Sequence, residues 1–93
     1  MSTGAFEVAW SPTARRDLTR LPEKVATAAI EFLYAHVAEK PHRAGAPLRL
    51  GLEGLHAARR GDYRVIYAID DDDRVVRVVT IEHRSDVYRR RRQ

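Results

Sequence analysis

The chain contains no cysteine. That excludes disulfides, thiolate metal centres and thiol catalysis, and it agrees with a reducing compartment such as the cytoplasm. Lysine is nearly absent too: fifteen of the 17 basic residues are arginine. No apolar run approaches the ~20 residues of a membrane span, and Met1 to Ala5 lacks the charged start and apolar core of a signal peptide. A cytoplasmic protein with no membrane association is expected. Glycine is sparse, at five residues, and Gly51 and Gly54 open no helix, so no Gly-rich phosphate loop is present.

What remains is enough for one fold. The 93 residues predict a single domain over 1–93, with 1–5 and 91–93 flexible, and an apolar fraction of 44% supports one packed core. The formal charge is +4. Arginine forks grip phosphates and stack on bases, which suits nucleic acid, although codon usage in a GC-rich genome would raise arginine over lysine equally well. Codon usage does not explain position. Eleven of the fifteen arginines lie at or after Arg49, ending in the run Arg89 to Arg92, which reads as an electrostatic tail.

Along the chain, Phe6, Val8 and Trp10 alternate with Glu7 and Ala9, predicting a short strand with one apolar face and Trp10 as a core anchor. Ser11-Pro12 reads as an N-cap and first helical position for a helix to about Arg20. Pro22 marks a second start, and Val25, Ala28, Ala29, Phe32, Leu33, His36 and Val37 recur at helical spacing to Val37. The two helices form an antiparallel hairpin. Lys40 to Gly54, with two prolines and three glycines, reads as a loop. Leu55 to Arg60, Tyr63 to Ile69 and Val75 to Ile81 read as a three-stranded meander, and a short helix is expected from about Ser85. The predicted class is α+β: an antiparallel sheet of about four strands with the helical hairpin on one face.

The centre of this pattern is Arg59-Arg60-Gly61-Asp62-Tyr63-Arg64. A two-residue Gly-Asp loop suits a type II′ turn and sets Arg60 opposite Tyr63 and Arg59 opposite Arg64. Like charges directly opposite on a sheet repel, so such a pair calls for a carboxylate beside it or a phosphate between. By parity Leu55, Ala57, Arg59, Arg64, Ile66 and Ala68 share one face, and His56, Ala58, Arg60, Tyr63, Val65, Tyr67 and Ile69 the other. Both faces are partly apolar, and pattern alone does not choose which one the helices cover.

A second cluster, His83-Arg84-Ser85-Asp86-Val87-Tyr88, follows the last strand. With Ser85 as N-cap, Arg84 sits at the mouth of the final helix and Tyr88 in its first turn. Imidazole and phenol can move protons, guanidinium can hold a phosphate, and an aromatic face can stack a base. The bland alternative has Tyr88 packing the helix and Arg84 solvated. His36, His42 and His56 show no metal-ligand spacing, Asp70 to Asp73 reads as a solvated turn, and neither Ser11 nor Ser85 lies in a hydrolase motif. No metal site and no cofactor are expected.

Four segments together resemble the RelE/ParE superfamily of bacterial toxins, on the RelE side and nearest to RelE toxins of actinobacteria. They are Thr13 to Leu18 with Leu21-Pro22, the loop Pro47-Leu48-Arg49, the core Leu52 to Tyr67, and the ending His83 to Arg89. The core and ending are specific and the helical hairpin is not. The resemblance implies a RelE-like microbial ribonuclease fold and the toxin of a type II toxin-antitoxin system. It implies an endoribonuclease, an mRNA interferase, that cuts messenger RNA in the ribosomal A site against 16S ribosomal RNA. The 2′-hydroxyl would attack the adjacent phosphate, and a cognate RelB-like antitoxin would silence the toxin in a toxin-antitoxin hetero-oligomer.

By the same resemblance Arg64 and Arg84 bind the scissile phosphate, Tyr88 stacks a base or assists proton transfer, and Arg59 and Arg49 add phosphate-binding charge; Arg60, beside Arg59 in the hairpin, is a further phosphate-binding candidate. Other branches use a histidine near the C-terminus, which implies that His83 shares the proton work. Ala57 stands where many members carry a basic residue, and the general base is left unassigned. Two alternatives stay open: a ParE-like toxin that inhibits DNA gyrase, and a basic nucleic-acid-binding module without chemistry.

Overall fold

A computed structural model describes residues 5–83. Strand β1 (Glu7–Trp10) leads into helix α1 (Pro12–Arg20) and helix α2 (Glu23–Phe32), which runs on as a π-helical turn over Leu33–Val37. Then come helix α3 (Pro41–Ala44), strand β2 (Ala46–Pro47), and the long strands β3 (Leu55–Arg60), β4 (Tyr63–Asp70) and β5 (Val75–His83). The α+β class stands, with two differences in detail. The sheet has five strands in the order β1-β5-β4-β3-β2, and it is mixed, because β1 runs parallel to β5. The segment Lys40 to Gly54, expected as loop throughout, contains α3 and β2. Pattern reading passes over both because four and two residues are too short to show a period. The helix expected from Ser85 lies outside the described residues.

Local chemistry explains the elements. The Ser11 hydroxyl accepts from the Ala14 amide at 3.0 Å, capping α1, and donates to the Val79 carbonyl at 2.6 Å. One side chain thus starts the helix and fastens it to β5. Past Trp10 the strand edge of β5 has no further partner in β1, and α1 takes over there. The buried Asp17 carboxylate accepts from the Ile81 amide at 2.9 Å and from the Thr80 hydroxyl at 2.6 Å. It satisfies an edge N–H that would otherwise be buried without a partner. At the β3–β4 turn, Gly61 has φ +60° while Asp62 does not enter positive φ, as a type II′ loop requires.

The helices cover the face of Ala58, Tyr63, Val65 and Tyr67. Those residues, with Val76, Val78 and Ile81 of β5, pack against Ala14, Leu21, Ala29, Phe32, Leu33 and Val37. Phe6, Val8 and Trp10 join the same core from β1. Arg59 and Arg64 therefore stand on the outer face, turned away from the helices.

The arginine row of the outer face

The hairpin register pairs Arg59 with Arg64 and Arg60 with Tyr63. Across the next ladder Arg64 pairs with Glu82 of β5. Three strands thus contribute one transverse row, Arg59, Arg64 and Glu82, with neighbouring strands ~4.8 Å apart. The Arg64 Nε–H donates to Glu82 Oε1 at 2.6 Å, and the two side chains are 40% and 21% exposed. This contact uses one edge of the guanidinium and leaves its Nη amino groups for another acceptor. Glu82 relieves the repulsion between the two arginines without neutralising both. Ile66, buried on the same face between Ala57 and Thr80, gives the row an apolar floor.

Glu82 is the residue that sequence reading missed, and the reason is a β-bulge. Between Tyr67↔Val78 and Ile66↔Thr80 the ladder skips Val79. Counting regularly from the Asp70↔Val75 pair would set Ile81 opposite Arg64 and turn Glu82 toward the core. The extra residue reverses that, burying Ile81 to 2% exposure and presenting Glu82 beside Arg64. The strong apolar alternation of Val76, Val78 and Ile81, broken by one residue, is the signal that marks it.

The other expected site residues divide. Arg60 is on the helix side, its guanidinium 5.3 Å from the Phe32 ring centroid. Opposite it, burial pushes the Tyr63 phenol up, an effect that the Arg60 charge partly offsets. His83 pairs with Tyr63, which sets it on the helix side of β5 rather than on the face of Arg64. Arg49 is exposed and far from the row, since its neighbour Leu48 bonds to Leu55 at 2.9 Å, four residues or ~13 Å along β3 from Arg59. Arg84 and Tyr88 lie outside the described residues.

A second polar cluster sits at the far end of the sheet. The His42 Nε2 approaches Asp71 at 2.9 Å, the His42 and His56 rings meet edge to face at 5.9 Å, and His56 stacks on Tyr67 at 5.6 Å. The Tyr67 hydroxyl donates to the Pro41 carbonyl at 2.7 Å, and burial pushes its pKa up to about 12. Burial first, and the charge of His42 second, push His56 below its ordinary value, against a smaller upward pull from Asp71.

Comparison with known proteins gives this arrangement a context. Residues 8–88 match the family described as the ParE toxin of type II toxin-antitoxin system, parDE. The chain is 56% identical over 84 residues to Toxin RelE of Mycobacterium tuberculosis, covering 90% of this chain and 87% of that protein. It is 44% identical over 85 residues to Toxin RelG of the same organism, covering 91% and 98%. Among solved structures, a chain of the toxin-antitoxin complex RelBE2 from M. tuberculosis matches with a TM-score of 0.86 and 40% identity, over 91% of this chain and 98% of that one. The five-stranded sheet with its helical hairpin and the match along almost the whole length carry one conclusion: the chain belongs to the ParE toxin family, as a RelE-type toxin of a type II toxin-antitoxin system.

Proposed function

We propose that this toxin is an endoribonuclease that cuts messenger RNA in the ribosomal A site, through attack of a 2′-hydroxyl on the adjacent phosphate, and that a RelB-like antitoxin silences it. The observation that carries the reading is the row of Arg59, Arg64 and Glu82 on the outer face. A phosphodiester in mid-reaction gains negative charge on its equatorial oxygens, and guanidinium donors aimed at that charge lower the barrier. Stability alone gives little reason to keep two arginines opposite each other: a partly exposed ion pair such as Arg64–Glu82 is worth ~1 kcal/mol or less, and the repulsion between Arg59 and Arg64 works against it.

Arg84 and Tyr88 complete the proposed site as a second phosphate contact and a base-stacking or proton-transferring phenol. Arg60 and Arg49, set apart from the row, are suited to the surrounding ribosomal RNA phosphates.

The test is induction of the chain without an antitoxin, with message integrity followed by primer extension. Translation should stop and cuts should map within codons. Arg64→Ala should lower cleavage by about two orders of magnitude, ~3 kcal/mol of transition-state stabilisation, while melting as a folded protein. Intact messages with a fall in gyrase-dependent supercoiling would instead establish the gyrase-inhibitor reading.

A further inference from the structure

We infer that Glu82 is the general base of the cleavage, an inference that rests on the endoribonuclease reading. Attack by a 2′-hydroxyl needs an acceptor for its proton within hydrogen-bond reach of the phosphate being held. Arginine cannot serve, because its guanidinium stays protonated at working pH. Among the described residues, two carboxylates make hydrogen bonds at this end of β5. Asp17 is buried at 7% exposure beneath α1, and its Oδ2 is engaged by the Thr80 hydroxyl and the Ile81 amide. Glu82 is on the outer face, 21% exposed, with Oε1 on the Nε–H of Arg64. Among the described residues that contact alone holds the carboxylate, and it leaves Oε2 as an acceptor. His83, one residue on, pairs with Tyr63 and belongs to the opposite face of the strand.

The order of the row gives the reaction a direction. A phosphate held by the Nη groups of Arg64 has Glu82 on one side and Arg59 on the other, one strand spacing away each. Transfer at phosphorus is in line, so the attacking and leaving oxygens lie on opposite sides. With the 2′-hydroxyl toward β5, its O–H bond breaks and the proton passes to Glu82 Oε2 as the oxygen closes on phosphorus. The bond from phosphorus to the 5′-oxygen breaks on the β3 side, where the Arg59 guanidinium stabilises the departing alkoxide until it takes a proton from water. Glu82 then returns its proton to solvent. The products are a 2′,3′-cyclic phosphate and a 5′-hydroxyl, with no other reactant.

Glu82→Gln separates this role from mere support of Arg64. The amide oxygen still accepts from the Arg64 Nε–H and the shape is kept, but the group accepts no proton. Single-turnover cleavage on ribosomes programmed with message in the A site should fall about 10²-fold or more. The wild-type rate should rise with unit slope on the acid side of its pH profile, and that limb should vanish in Glu82→Gln. Thermal melts of both proteins verify that the variant is folded. Cleavage by Glu82→Gln at the wild-type rate with the acid limb intact would overturn the assignment and leave Glu82 a support for Arg64. A wild-type protein that cuts no message would remove the endoribonuclease reading, and the base with it.

Discussion

Gly45 shows how closely one residue can be prescribed. It joins α3 to β2 in ordinary extended backbone, yet a Cβ placed there would lie 2.5 Å from the Ala57 carbonyl oxygen and 2.7 Å from the Tyr67 hydroxyl. Neither neighbour can retreat cheaply. The Ala57 carbonyl belongs to β3, and the Tyr67 hydroxyl is held by the Pro41 carbonyl. Gly45→Ala should therefore destabilise the fold by ~1–3 kcal/mol, lowering the melting temperature by ~4 °C or more. A melt followed by near-ultraviolet circular dichroism checks it. An unchanged transition would mean that β2 can lift from β3 freely. This requirement was invisible in the sequence, where Gly45 is one of three glycines in a stretch rich in turn formers, because what forbids a side chain there comes from β3 and β4. Arg59 and Arg64 were legible for the opposite reason: a two-residue loop fixes their pairing locally. Glu82 lay between these cases, hidden by the bulge at Val79.

Among elements, the short helix α3 is tied down by titratable groups. His42 reaches from α3 to Asp71 in the β4–β5 turn, and His56 of β3 lies between the His42 ring and Tyr67. The Nδ1 of His56 is buried and has no hydrogen-bond partner among the described residues. Its pKa is pushed below 6.5 in the folded protein, so between the folded value and 6.5 the unfolded chain binds more protons than the folded one. The stability that neutral His56 contributes is present above pH 6.5 and is lost as pH falls through the folded value. Proton-detected titration should find His56 titrating below 6.5, and His56→Gln should flatten the acid side of the stability curve. A His56 that titrates at its ordinary value would remove the effect. Spacing alone offers no metal reading of His42 and His56. It does not reveal that α3 brings them ring to ring, since four residues are too short to show a helical period.

At the scale of the whole molecule, the helices cover one face of the sheet and Arg59 and Arg64 stand on the other, on a chain of net charge +4. A RelB-like partner that neutralises the toxin would meet this charge with acidic side chains, so titration of the purified pair should give an affinity that falls as ionic strength rises. Salt-independent affinity would mean that the arginine face plays no part in neutralisation. The architecture was legible in outline because the helical and alternating periods are strong in α2, β3 and β4. The parallel pairing of β1 with β5 was not, because no local pattern announces a partner so far along the chain.

That distant partnership also has a consequence in time. Ser11 and Val79, which close the junction of β1, α1 and β5, are 68 residues apart. Loop closure of that length must be met before the contacts it enables are gained, and β5 is the strand that joins β1 to the β4–β3–β2 ladder. During synthesis Arg59 and Arg64 are incorporated before Glu82. Until then β1 and the β4–β3–β2 ladder are unjoined parts, so a growing chain carries the two arginines without the carboxylate that completes the row.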